Sequence, residues 1–123
     1  MALNILVVDD EHSLRLVIER VLKMSLTDVT VCTADGPTAA LHLVAHGGFE
    51  PDLVLTDLQM PPDALDGIGL ALRLRDHGFK KPIVLMTGKA FDGSENLRDI
   101  NEVIKKPFDI DHLVSTIRKH LTG

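Results

Sequence analysis

The sequence predicts a single α/β domain: a parallel sheet carrying helices on both faces. Three observations predict it. Short Val-, Ile- and Leu-rich runs alternate with segments of helical periodicity along the whole chain. Three of the first four runs lack an apolar-polar alternation, as strands covered on both faces do. At 123 residues the chain is the size of one domain on a scale of about 150 residues each, large enough to bury a core without metal or disulfide.

The strands are expected at 3–8, 29–34, 53–56 and 83–86, with a weaker fifth at 103–104. After the first, Leu14, Val17, Ile18, Val21 and Leu22 fall at i, i+3, i+4, i+7 and i+8, one apolar stripe of a helix. A second helix opens after Gly36-Pro37, runs over 38–46 and stops at Gly47-Gly48. Residues 66–76 form a third, with Leu70 and Leu74, and Gly67 and Ala71, on adjoining faces and Gly78 beyond its end, and 111–121 form the last around Leu113, Val114, Ile117 and Leu121. The segment 90–101 is the weakest: Gly93, Ser94, Asn96 and Asn101 interrupt it and only Phe91, Leu97 and Ile100 could anchor it, so a short or mobile helix is expected. Right-handed crossovers then stack the strands in parallel, and ligands of such sheets collect at the carboxyl ends of the strands.

Composition removes several functions. The net charge of -5 and the absence of Trp and Tyr leave neither the basic surface nor the stacking platforms of a direct nucleic-acid binder. No apolar run reaches the ~18 residues of a membrane span, and the start lacks the basic region of a signal peptide, so a cytoplasmic protein without membrane contact is expected. The single Cys32 permits no internal disulfide and is expected to be a small buried hydrophobe. His42 and His46 share a helix face at i, i+4, but Leu43 stands where a zinc-protease motif has Glu.

The chemistry lies at the predicted strand ends. Asp9 and Asp10 follow the first strand, Asp57 the third, Thr87 the fourth and Lys106 the fifth. If the first and third strands are neighbours, the carboxylates converge, and like charges so close call for a cation. An all-oxygen site suits a hard ion such as Mg2+, which takes one or two carboxylates, keeps waters and binds phosphate. A hydroxyl and an ammonium beside it are what the oxygens of a phosphoryl group require.

Val7-Val8-Asp9-Asp10-Glu11, Asp52 through Pro61 (DLVLTDLQMP), Asp66-Gly67, Met86-Thr87-Gly88 and Lys106-Pro107-Phe108, in this order and spacing, resemble the receiver domain of bacterial two-component response regulators over essentially the whole chain. The resemblance implies a flavodoxin-like (βα)5 three-layer sandwich with strand order 2-1-3-4-5. The chain is expected to be one receiver domain over 1–123 with no output domain, either standing alone or cut from a larger regulator or hybrid kinase. It implies that Asp57 accepts a phosphoryl group from the phosphohistidine of a sensor histidine kinase or phosphotransfer protein. Asp10, Asp57 and the Gln59 backbone carbonyl would bind Mg2+ directly, and Asp9 through water. Lys106, with a cis bond to Pro107, would pair with a phosphoryl oxygen, and Thr87 would be the switch hydroxyl. Gln59 and Lys89 would tune loss of the phosphoryl group. Leu14, Arg15, Pro107 and Phe108 would form a kinase-docking edge, although Leu14 equally completes the core stripe. The output would be contact with an unknown downstream protein, with no turnover beyond the domain's own phosphorylation and dephosphorylation.

The chain departs from the family pattern at two places. Four residues, Pro62 to Leu65, separate Pro61 from Asp66 where two are usual, so the loop is longer; Asp63 could reach the metal, obstruct a partner or sit in a solvated turn. Val103 occupies the position of a switch aromatic, which leaves order and disorder of 90–101 as the candidate for coupling. Two alternatives remain: a receiver-shaped module that is never phosphorylated, and an aspartyl-phosphate phosphatase. The latter needs a general acid two residues after the nucleophile, where Gln59 stands.

Overall fold

The computed structural model describes residues 2–91 and 93–122. Its strands are β1 (Leu3–Val8), β2 (Val29–Ala34), β3 (Leu53–Asp57), β4 (Ile83–Thr87) and β5 (Glu102–Lys105). They form one parallel sheet in the order β2-β1-β3-β4-β5, as expected. The helices are α1 (His12–Ser25), α2 (Pro37–Ala45), α3 (Gly67–Asp76) and α4 (Ile110–Thr122).

Side chains alternate across each strand, and the sheet therefore feeds two cores. Ile5, Val7, Leu53, Leu55, Val84 and Met86 face α1 and α4, where Ile18, Leu22, Leu113 and Ile117 close the layer. Leu6, Val8, Val54 and Ile83 face α2 and α3, meeting Ala40, Leu70, Ala71 and Leu74. The central strands thus read as continuous apolar runs because both of their faces are covered. Asp66 caps α3 by accepting from the Gly69 amide at 2.8 Å. The helix ends where Gly78 adopts φ +91°, a left-handed conformation that suits glycine. At the sheet edge Glu102 of β5 pairs with Lys119 at 2.6 Å and His120 at 2.8 Å on α4, which holds its carboxyl below the ordinary value, chiefly through the Lys119 contact.

Three expectations need correction. No helix is described between β4 and β5: residues 88–91 and 93–101 run without helix, as bends, turns and irregular backbone, so the described residues hold four helices and not the five of a full (βα)5 repeat. Asp92 of that stretch lies outside the described residues. Phe91, Leu97 and Ile100 are only partly buried, too few anchors to offset the poor helix formers among them. Val17 is 51% exposed, because the α1 stripe rotates toward Leu14, Ile18 and Leu22. Cys32 is free but only partly buried, since β2 is an edge strand.

Candidate functional site

Parallel pairing places every strand's carboxyl end on one rim. Val8 of β1 pairs with Thr56 of β3, so Asp9 and Asp57, one residue further along each strand, are neighbours. Carboxylate oxygens of Asp9, Asp10 and Asp57 lie within 4.8 Å of one another. Lys106 follows β5, where its backbone amide donates to the Thr87 carbonyl at 2.8 Å. Its side chain reaches across the end of β4 to place Nζ 3.1 Å from Asp57 Oδ1 and 3.5 Å from Asp9 Oδ2. The Lys106-Pro107 bond is cis, as the resemblance implied; a second cis bond, Pro61-Pro62, lies in the longer loop.

The three carboxylates differ in environment. Asp9 is buried, Asp57 half-buried and Asp10 exposed. Burial raises the Asp9 carboxyl above its ordinary 3.8, against the opposing hydrogen bond from the Glu11 amide (2.9 Å) and the Lys106 charge. Burial alone would lower Lys106, but the hydrogen bond and charge of Asp57, joined by Asp9, outweigh it and hold the ammonium above 10.5. Three acids of ionisable type face one ammonium, a set that leaves negative charge in excess and offers oxygen ligands only. That donor chemistry fits a hard divalent cation.

Neighbouring residues set the shape. Gly67 opens α3 with its amide donating to the Leu58 carbonyl at 2.8 Å. A Cβ there would lie 2.2 Å from the Asp57 carbonyl oxygen and 2.8 Å from Leu85 Cδ1, so the loop closes against Asp57 only with glycine at this position. Thr87, buried, stands one residue beyond Met86, the partner of Asp57 in β4. Its hydroxyl accepts from the Lys89 amide at 2.9 Å, while Lys89 itself is exposed. Gln59 is exposed two residues past Asp57, and Val103, half-buried, pairs with Leu85.

Asp63 does something the sequence did not suggest. Its Oδ2 accepts from the Thr38 amide at 3.1 Å, and its Oδ1 from the Thr38 hydroxyl at 3.0 Å and the Leu65 amide at 3.2 Å. These donors, the Thr38 amide foremost, hold its carboxyl below the ordinary range. Among the expected docking residues, Leu14 and Phe108 pack partly buried against the α1/α4 core and Pro107 is exposed. Arg15 donates to the Asp9 carbonyl at 2.6 Å and so steadies the acidic turn.

Sequence reading also missed Arg75 of α3. Its guanidinium donates to the carbonyls of Phe79, Lys81 and Asp99 (3.0, 2.7 and 3.0 Å) and to Asn101 Oδ1 at 2.9 Å. Asn101 Oδ1 also accepts from the Ile83 amide at 2.9 Å, tying the end of the 88–101 connection to the start of β4. A polar residue just before a weak edge strand was the only available signal.

A doubly wound sheet with carboxylates from two strand ends and a lysine from a third defines a class of α/β protein whose chemistry sits on its carboxyl rim. The family description "Response regulator receiver domain" matches residues 5–118, and the chain belongs to that family. It is 36% identical over 121 residues to the regulatory protein AtoC of Escherichia coli, covering 96% of this chain and 25% of that protein. The response regulator MprA of a Mycobacterium species is 32% identical over 122 residues, covering 96% of this chain and 50% of that protein. The chain thus spans a quarter to a half of the length of these relatives. Among solved structures, the response regulator TrrA of Thermotoga maritima, in complex with Mg2+-BeF, superposes with a TM-score of 0.83 at 28% identity over 97% of this chain and 99% of that one. The chemotaxis protein CheY4 of Vibrio cholerae, at 22% identity and a TM-score of 0.80 over 98% of this chain and all of that one, shares the fold. No described helix is long and apolar enough to cross a membrane.

Proposed function

We propose that this domain is a phosphorylation-activated switch in which Asp57 accepts a phosphoryl group from the phosphohistidine of a sensor histidine kinase or phosphotransfer protein. The observation that carries the reading is Lys106 Nζ at 3.1 Å from Asp57 Oδ1, beside three carboxylates within 4.8 Å. An Asp57 oxygen attacks phosphorus, the phosphorus–nitrogen bond breaks, and its electron pair returns to the donor imidazole. The nucleophile is a carboxylate, which needs no general base, and the transition state is loose, so the protein chiefly orients and neutralises. Lys106 stands where it meets a phosphoryl oxygen on Asp57, and the Thr87 hydroxyl, now accepting from the Lys89 amide, can turn to donate to another. Asp10, Asp57 and the Gln59 carbonyl would hold Mg2+, which supplies charge neutralisation at the phosphoryl oxygens. Asp9 is buried and already engaged by the Glu11 amide and Lys106, which suits a residue acting through water.

The switch output is a change of protein contacts in the cytoplasm, with the kinase docking over the α1 edge near Leu14, Arg15, Pro107 and Phe108. Incubation with acetyl phosphate and Mg2+ is expected to add one phosphoryl mass to the chain, at Asp57 by peptide mapping, and Asp57→Asn is expected to stay folded and unlabelled. Labelling that persists in Asp57→Asn would sink the assignment; intrinsic fluorescence is no substitute, as the chain has neither Trp nor Tyr.

A further inference from the structure

The loop between β3 and α3 is held at its inner end by buried Met60 and by the Gly67 amide on the Leu58 carbonyl. Its outer part, Pro61 to Ala64, is largely exposed, and within the loop Asp63 donates its amide to the Met60 carbonyl at 3.1 Å and accepts from the Leu65 amide on Oδ1 at 3.2 Å. Asp63 reaches away from that loop to α2. Gly36, the residue preceding Pro37, has no side chain with which to cap α2, and the Asp63 carboxylate takes that place on the Thr38 amide and hydroxyl. The fit is close, for a Cβ on Gly36 would lie 3.0 Å from Asp63 Oδ2. The clamped loop, the start of α2 and Asp10 line one cleft of about 550 Å³, so the clamp forms a wall beside the acidic cluster.

We infer that Asp63 is a positioning residue: by clamping the outer β3–α3 loop to the N-terminus of α2 it fixes the Gln59–Met60 turn next to Asp10 and Asp57, and thereby sets the affinity of the site for Mg2+. This rests on the metal-binding reading above. Asp63 lies outside the cluster of Asp9, Asp10 and Asp57 and acts through the backbone it restrains. The extra residues of the loop give the chain the reach to make this contact, and α2, which lacks a cap of its own, supplies the donors.

Three proteins separate the clamp from charge. Asp63→Ala and Asp63→Asn both remove one negative charge near the site, but the Asn amide oxygen still accepts from the Thr38 amide. Calorimetric titration with Mg2+ alone is expected to show about a tenfold weaker affinity for Asp63→Ala, as loss of an orienting contact does at other metal sites, and near-native affinity for Asp63→Asn. Thr38→Val, which deletes the hydroxyl donor, is expected to weaken binding in the same direction and to add little in combination with Asp63→Ala. In metal-free protein, the amides of Gln59 and Met60, to which the Asp63 side chain makes no bond, are expected to exchange faster in Asp63→Ala than in wild type. Equal Mg2+ affinity of the Ala and Asn variants, or wild-type affinity in Asp63→Ala, would overturn the clamp while leaving the site intact. Wild-type protein that takes up no Mg2+ would instead overturn the metal-binding reading, and the clamp with it.

Discussion

Two irregular connections flank the acidic rim, and the contacts described for them differ. The β3–α3 loop, 58–66, is fastened along its length by buried Met60, by Asp63 on α2 and by the Gly67 amide. In the β4–β5 connection Arg75 and Asn101 gather backbone groups at the far end, while residues 88–90 at its start are exposed. The acidic side of the rim is therefore braced by contacts to a neighbouring helix, while the side that begins at Thr87 starts in exposed residues. At its start the Thr87 hydroxyl accepts from the Lys89 amide.

The sharpest way to break the braced side is Gly67→Ala. The added Cβ would press on the Asp57 carbonyl oxygen at 2.2 Å, backbone that cannot swing aside as a side chain could. A loss of about 3 kcal/mol in urea unfolding is expected, with phosphoryl labelling falling by more than stability accounts for because Asp57 is displaced. Unchanged labelling would show that the brace does not position the nucleophile.

Arg75→Ala tests the β4–β5 connection at its far end. Three carbonyls and the Asn101 amide oxygen lose a partly buried donor, and about 2 kcal/mol of stability is expected to go with them. Hydrogen exchange should quicken over 97–101 and at the start of β4, and remain as in wild type over 58–66. Faster exchange in both loops would mean that the two connections are not independent.

The smallest expected change lies between them. Asp9 has a raised folded-state carboxyl, chiefly through burial, so the folded protein holds that proton more tightly than the unfolded chain. Its contribution to stability therefore falls as pH climbs from 3.8 through the raised folded value, and stays low at neutral pH. Metal-free Asp9→Asn is expected to be more stable than wild type by about 1 kcal/mol at pH 7, with the difference shrinking as pH falls through that window. Lys106 keeps Asp57 as its partner in this variant. Thermal melting against pH, with and without Mg2+, provides the check; a destabilised variant at pH 7 would show that the Asp9–Lys106 pair outweighs burial.

Much of this molecule is legible in one dimension. The covered strands betray themselves as uninterrupted apolar runs, since a strand with helices on both faces has no side for polar residues, and parallel pairing sends Asp9, Asp10, Asp57, Thr87 and Lys106 to one rim. Tightly coupled local patterns such as Asp66-Gly67 survive in sequence because the cap and the close approach belong to adjacent residues. Contacts between distant, individually unremarkable residues do not survive in this way. Asp63 on Thr38 and Arg75 on Asn101 span 25 and 26 residues, and each depends on where a loop of irregular backbone comes to lie. The missing helix between β4 and β5 belongs to the same group. A segment of middling propensity becomes helix only if the core offers it a face, and here the few apolar anchors of 90–101 do not claim one. Composition and periodicity thus decided which groups could meet at the rim, while tertiary packing decided which loops would brace them, because loop placement follows from the assembled surface and not from any local repeat.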